Sequence, residues 1–284
     1  MINKIKLSSV TTYKFGGYCE NFVVISEKNI DSISEETNNS KIFVLGKGSN
    51  TVFSDDGYEG LVIKPDFNEI TLDSKTSQVN VGSSVYLPTL SRFYKNENLI
   101  NAEYLIGIPG SVGGATRMNA GAHGWEFSDL IVNLKTYNLV NNTFETIERE
   151  DIKFDYRSSS NLENRVVISA TLKAIKGDPE DIKRKMKECI SYRKKTQPPA
   201  MYNAGSVFKN SSEYSAGELI DRAGLKGYNI DGVSVSKKHA NFFIASKNSN
   251  ANSLYRLVNY VKEVIDTKYG VSLETEILFV GNFN

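Results

Sequence analysis

Glycines set in mid-chain beside small polar residues are the first sign of chemistry in this sequence. Tyr104–Gly124 reads YLIGIPGSVGGATRMNAGAHG and holds six of the 21 glycines, together with Ser111, Asn119 and three alanines. So little side chain over so long a run suits backbone that something large and flat, or anionic, must approach closely. Taken alone, the run is equally a glycine-rich surface loop or a tightly packed helix crossing. A second run changes the balance: Ile42–Asn50, IFVLGKGSN, is an apolar strand leading straight into Gly46, Gly48, Ser49 and Asn50. Two glycine loops can grip one extended ligand from two sides, and the longer one reads as a cofactor floor.

Side chains able to hold charge or move protons are fewer. Arg157 lies in DYRSSS, where spacing alone leaves it open as a core arginine in a buried salt bridge or as a catalytic cation. Ser206 lies in NAGSVFKN, a third small-residue stretch, followed by the polar side chains Lys209 and Asn210. In LETEILFV, Leu273–Val280, strand alternation sends Glu274 and Glu276 to one face, either as solvent-facing carboxylates or as half of a site. The histidines, His123 and His239, and the cysteines, Cys19 and Cys189, show neither metal-ligand spacing nor a CxxC pair. No metal and no disulfide framework are expected, and a reducing compartment fits.

The chain of 284 residues is long enough for two cores, and its net charge of +1 gives no general attraction to nucleic acid or membrane. Any bound anion must be met by local groups. The N-terminus has no apolar run of signal-peptide length and nothing further on is long enough to span a bilayer, so a cytoplasmic location is expected.

The elements that must carry these residues follow from periodicity. Thr11–Gly17, TTYKFGG, reads as a turn into a strand at Phe22–Ile25, and Glu27–Thr37 places Ile30 and Ile33 at helical spacing. The Gly46 loop nearly matches G-x-G-x-x-G, but Thr51 stands at the third glycine and Asp55-Asp56-Gly57 turns the chain soon after. Strand, loop, strand (Gly60–Ile63), with the loop N–H groups as an anion nest, is the better reading. Strands are expected at Glu69–Leu72 and Gln78–Gly82, a helix at Tyr86–Asn96, then strands at Ile131–Leu139, Thr143–Ile147 and Arg165–Ile175. Asp178-Pro179 caps a helix running to Lys195, which Pro198-Pro199 ends, and a further domain opens there. Ser215 and Glu218 form a capping-box pattern for a helix ending at Gly224. Val233–Ser236 and Asn241–Ala245 read as strands around His239, and Ala251–Lys268 as an amphipathic helix stopped by Gly270.

In order, TTYKFGG, LGKGSN, GIPGSVGGATRMNAGAHG, YRSS, GSVFKN, AGLKG, VSKKHANF and LETEI resemble the UDP-N-acetylenolpyruvoylglucosamine reductases over nearly the whole chain. The resemblance implies an α+β fold with a two-part FAD-binding module of the vanillyl-alcohol oxidase type and a C-terminal α/β substrate-binding domain. It implies segments 1–64 and 65–197 for the two FAD-binding parts and 198–284 for the substrate domain. FAD, held non-covalently, would contact Gly46, Lys47, Gly48, Ser49, Asn50, Ile108, Pro109, Gly110, Ser111, Gly113, Gly114, Ala115, Asn119, Ala120 and Gly121. Arg157, Ser206 and Glu276 would be catalytic, and Tyr156, Lys194, Lys209, Asn210 and His239 would contact the nucleotide sugar. NADPH would be the hydride donor, and a monomer is expected.

Three positions depart from the family pattern: Lys47 stands where glycine is common, Ser211 follows FKN in place of proline, and His123 sits where tyrosine is frequent. The interval from Arg157 to Ser206 is too short for the tyrosine-bearing loop of one branch, so the chain resembles the shorter branch. Two alternatives stay open from the residues: a flavin oxidase with its flavin tethered through His123, and a silent module that binds FAD or a nucleotide sugar.

Overall fold

The computed structural model describes residues 2–30, 33, 41–199 and 202–283. Its main elements, in chain order, are β1 (Asn3–Lys6), β2 (Tyr18–Ile25), β3 (Ile42–Val44), β4 (Thr51–Phe53), β5 (Tyr58–Pro65), β6 (Ile70–Asp73), β7 (Gln78–Gly82), α1 (Leu87–Asn96) and α2 (Val112–Met118). There follow β8 (Gly121–Ala122), β9 (Trp125–Glu126), β10 (Ile131–Asn138), β11 (Thr143–Glu148), β12 (Phe154–Asp155), β13 (Ser158–Ser159), β14 (Arg165–Lys173) and α3 (Pro179–Thr196). The last are α4 (Ala216–Arg222), β15 (Asn229–Ile230), β16 (Val233–Val235), β17 (Phe243–Ala245), α5 (Ala251–Tyr269) and β18 (Leu278–Val280). The helix expected at Glu27–Thr37 lies partly outside the described residues; Ile30 and Ile33 are both buried.

Two compact units emerge, each built from separated stretches of chain: Phe22–Lys47 with Leu61–Arg193, and Ile2–Asn21 with Gly48–Gly60 and Lys194–Asn284. The second unit gathers its separated stretches by strand pairing and burial. There β4 pairs in parallel with β18, Val52 opposite Phe279, and Tyr13, Phe15 and Val52 join the core made by α4, α5 and the β15-β16-β17 sheet.

In the first unit the five-stranded sheet has the order β11-β10-β14-β7-β6, antiparallel at the pairings that register Leu134 with Ala170 and Ala170 with Val81. Alternation puts Leu134, Ala170, Leu172, Val79 and Val81 on a buried face, where α1 contributes Leu87, Leu90 and Tyr94 to the same core. β3 pairs in parallel with β5, Ile42 opposite Leu61, and β5 passes Ile63 to a further core containing Tyr137 and Val166. α2 forms inside the long glycine-rich run: Ser111 precedes it in extended conformation and Asn119 ends it at φ 41. An asparagine tolerates that left-handed turn better than most residues.

In the second unit Asn250 caps α5 by accepting from Ser253 N at 2.8 Å, and Gly270, at φ 67, stops it. No helix among the described residues is long and apolar enough to cross a membrane. Among the described residues no cluster of His, Cys, Asp and Glu could hold a metal ion, and Cys19 and Cys189 are free thiols.

Candidate active site

Two groups of residues carry the site chemistry, one in each unit. In the first unit, a Cβ added to Gly46 would lie 3.1 Å from Ser111 Oγ and 3.7 Å from Gly114 Cα, so the Gly46 loop is packed onto the start of α2. Among the described residues, the backbone N–H groups of Gly46, Lys47 and Gly114 have no protein acceptor, and in the second unit neither has that of Gly48. Unpaired N–H groups at a loop and a helix start are what an anion requires.

The two adjacent glycines of α2 differ in what they face. A Cβ on Gly113 would stand 3.0 Å from Ser83 Cβ, and Gly113 N donates to Ser83 O at 2.8 Å, so this glycine lets α2 press onto the residue that follows β7. On Gly114 a Cβ would meet only Ser111 Oγ, at 3.6 Å. Bare backbone facing open space fits a planar ring system or a phosphate laid against it. Gly48, at φ 66, is required by its own turn, since a side chain would strike Val10 O at 2.3 Å. Lys64 of β5 donates Nζ to the carbonyl of Gly46; burial, and then the neighbouring Lys47, pull it down to about 8 while Asp66 opposes them. Two cations beside a loop of unpaired N–H groups add to its fit for a diphosphate.

The remaining residues of the long run face inward. Ala115 is buried in the core, Ala120 packs against the same core, and Ile108 is half-buried beside it. Pro109 is half-buried, and Gly110, at φ 142, accepts from Leu87 N. The Asn119 amide is spent inside the protein: Nδ2 donates to Glu126 Oε2 at 2.7 Å and to Asp155 O at 3.1 Å, while Oδ1 accepts from Ser128 N at 3.1 Å. Its backbone then holds Arg157. The guanidinium donates Nη1 to Asn119 O at 3.3 Å and Nη2 to Gly121 O at 3.0 Å, with its Cζ 4.7 Å from the centre of the Tyr156 ring. Gly121 has no room for a side chain, which would fall 2.5 Å from Trp125 O and 3.3 Å from Arg157 Nη1. Arg157 itself sits at φ 54, on the turn joining β12 to β13. His123, exposed at φ 57, meets the Tyr192 ring edge-on.

In the second unit the backbone brings Ser206 and Glu276 together. Phe208 pairs with Thr275, Glu276 N donates to Val207 O at 2.8 Å, and Lys209 N donates to Glu274 O at 2.9 Å. Ser206, half-buried, follows Gly205, which sits at φ 79 with open space where its side chain would be. Asn50 and Ser49 belong to the same neighbourhood of chain: Asn50 Nδ2 donates to Glu276 O at 2.9 Å, and Leu278 N donates to Asn50 O. Glu274, largely exposed, holds Lys209 Nζ at 2.5 Å, so the first of the paired glutamates serves as a counter-ion.

Around this strand pair stand the other expected contacts. Asn210 Oδ1 accepts from Ala216 N at 3.0 Å and caps α4, a task expected of Ser215, which makes no side-chain cap; Glu218 pairs with Arg222 instead. His239 Nδ1 accepts from Asn241 N at 3.3 Å, which fixes the neutral tautomer with its proton on Nε2. Burial, and then the positive Lys226, hold that imidazole below its ordinary range. Lys194 is exposed, its carbonyl taken by Lys238 Nζ. Sequence reading missed Asn241, whose buried amide accepts from Phe208 N at 2.9 Å and donates to Phe208 O at 2.8 Å, clamping the strand that bears Ser206. It missed Lys64 as well.

Residues 197–280 match the family described as UDP-N-acetylenolpyruvoylglucosamine reductase, C-terminal domain, and residues 26–145 match the FAD binding domain family. UDP-N-acetylenolpyruvoylglucosamine reductase of Anoxybacillus flavithermus is 37% identical, over 97% of this chain and 93% of its own. That of Halalkalibacterium halodurans is 36% identical, over 97% and 92%. The crystal structure of UDP-N-acetylenolpyruvylglucosamine reductase from Thermus caldophilus superimposes with a TM-score of 0.88 at 29% identity, covering 99% of both chains.

Proposed function

This chain belongs to the UDP-N-acetylenolpyruvoylglucosamine reductase family, and from that premise we propose how its own residues divide the work. It is an FAD-dependent oxidoreductase that reduces the enolpyruvyl group of its nucleotide-sugar substrate in peptidoglycan precursor synthesis, with an α+β fold that joins a flavin module of the vanillyl-alcohol oxidase type to a C-terminal domain. Segments 1–64 and 65–197 supply the FAD module and 198–284 the substrate domain. The unpaired N–H groups of Gly46, Lys47, Gly48 and Gly114, with Lys47 and Lys64, would hold the FAD diphosphate, and the open face of Gly114 would leave room for the cofactor.

Bound FAD would supply the hydride for the terminal carbon of the enolpyruvyl double bond, with NADPH as its source. That carbon is conjugated to a carboxylate, so charge builds on the carboxylate oxygens. Arg157 meets them with a planar fork, held in place by the carbonyls of Asn119 and Gly121. Ser206 gives its proton to the adjacent carbon, and Glu276 orients or polarises the same group. A hydroxyl is a weak acid, so its service depends on a strongly basic partner and on a fixed position. Tyr156 stacks beneath Arg157, while Lys194, Lys209, Asn210 and His239 meet the nucleotide sugar. The product is UDP-N-acetylmuramate, and the protein works as a cytoplasmic monomer.

One observation supports this division: Glu276 N donates to the carbonyl of Val207, the residue after Ser206, at 2.8 Å. The test is anaerobic. NADPH should bleach the holoenzyme, and UDP-N-acetylenolpyruvoylglucosamine should restore its yellow colour without oxygen. Restoration by oxygen alone would favour an oxidase. Acid precipitation should leave all the flavin in the supernatant, since its attachment is non-covalent; a yellow pellet would implicate His123.

A further inference from the structure

Arg193, near the end of α3, is half-buried. Among the described residues it makes no hydrogen bond, ion pair or ring contact. Its neighbours explain how it is seated without explaining why. A Cβ on Gly107 would lie 3.7 Å from its Cδ, so the arginine stem runs over bare backbone at the start of the Gly107–Gly114 run. Tyr86 is the ionisable side chain whose field reaches it. Among the described residues no carboxylate pairs with the guanidinium. Burial alone makes its charge costly, and it is held below its ordinary range accordingly.

A permanent cation withdrawn from water and left unpaired is retained where a ligand completes it. The position narrows the ligand. Tyr86 pairs by backbone with Ser111, and Leu87 N donates to Gly110 O, so Arg193 stands beside the residues that lead into α2. Resting on the FAD reading above, we propose that Arg193 is a further cofactor-binding residue, its fork taking the phosphate oxygens of FAD from the Gly107 side of the glycine run. The same phosphoryl chemistry is offered by NADPH and by the nucleotide sugar, so the test separates the three.

Arg193→Gln and Arg193→Lys would be compared with the wild-type holoenzyme by serial dilution, reading released flavin by its fluorescence. A charge-assisted fork is worth about ten- to a hundred-fold in affinity, so Arg193→Gln should release FAD at least about tenfold more readily, with Arg193→Lys between the two. At saturating FAD, the affinities for NADPH and for the nucleotide sugar should stay within about twofold of wild type. Unchanged FAD affinity in Arg193→Gln overturns the inference, as does a loss confined to NADPH or the nucleotide sugar. Should Arg193→Gln fail to fold, Arg193→Lys carries the test, and wild-type FAD affinity in it overturns the proposal. A wild-type protein that retains no FAD would instead defeat the cofactor reading.

Discussion

The side-chain amide of Asn50 donates to the carbonyl oxygen of Glu276 at 2.9 Å, while Leu278 N donates back to Asn50 O at 2.9 Å. The end of the first glycine loop and the expected catalytic carboxylate are thus held at a fixed backbone distance. Asn50→Asp replaces the donor with an acceptor facing a carbonyl, at a cost of about 1–3 kcal/mol. Turnover should fall about tenfold or more while the protein stays folded, measured as kcat beside the melting temperature. Wild-type kcat would show that the Asn50 amide does not position Glu276.

Gly113 and Gly114 are adjacent, yet their substitutions should fail differently. Gly113→Ala drives a methyl toward Ser83 and should lower stability by about 1–3 kcal/mol, seen as an earlier denaturation midpoint. Gly114→Val meets little protein, so its fold should persist while flavin content drops sharply. Full flavin occupancy in Gly114→Val would remove the cofactor from that face.

Arg157→Lys keeps the charge and loses the fork, and one ammonium cannot reach the carbonyls of Asn119 and Gly121 while meeting two substrate oxygens. The loss should fall on kcat, by about a hundredfold, with flavin content unchanged. Near-normal kcat would leave Arg157 as a structural arginine tying β12–β13 to the glycine run.

His239 gives a pH dependence of known sign. Its folded-state pKa is depressed by burial and by Lys226, so the stability it protects is intact above the unfolded value of about 6.5 and is lost as pH falls through the folded pKa. His239→Gln cannot take the proton and should lose less melting temperature between pH 7 and pH 5 than wild type. Parallel curves for the two would contradict this.

Much of this was readable because periodicity is local. Gln78–Gly82, α1, α3 and α5 fall within a residue or two of their expected ends, since each has a clear apolar stripe or alternation with proline or glycine at a boundary. LETEILFV reads as one strand but serves two partners: Thr275 pairs with Phe208, and Leu278–Val280 pair with β4. Alternation cannot reveal such a switch, because both halves bury the same parity of residue. The Ser215–Glu218 pattern is a capping box in sequence only, since Asn210 reaches Ala216 N first. Lys64 and Asn241 lay beyond sequence reading for a simpler reason: each acts on backbone distant in the chain, at Gly46 and at Phe208. The glycine loops and Arg157 stood out by composition and by family motif, whereas the use of each glycine needed coordinates.

The proton role of Ser206 is the centre of the account, and Ser206→Ala tests it by separating two half-reactions in anaerobic stopped-flow at matched flavin content. Flavin reduction by NADPH should keep close to its wild-type rate, because Ser206 has no part in taking that hydride. Reoxidation by UDP-N-acetylenolpyruvoylglucosamine should slow by about a hundred- to ten-thousand-fold, the loss expected for a positioned general acid. Ser206→Cys, a stronger acid though bulkier, should recover part of that rate. Equal slowing of both halves would contradict the general-acid role, and an unaltered reoxidation would remove Ser206 from the chemistry altogether.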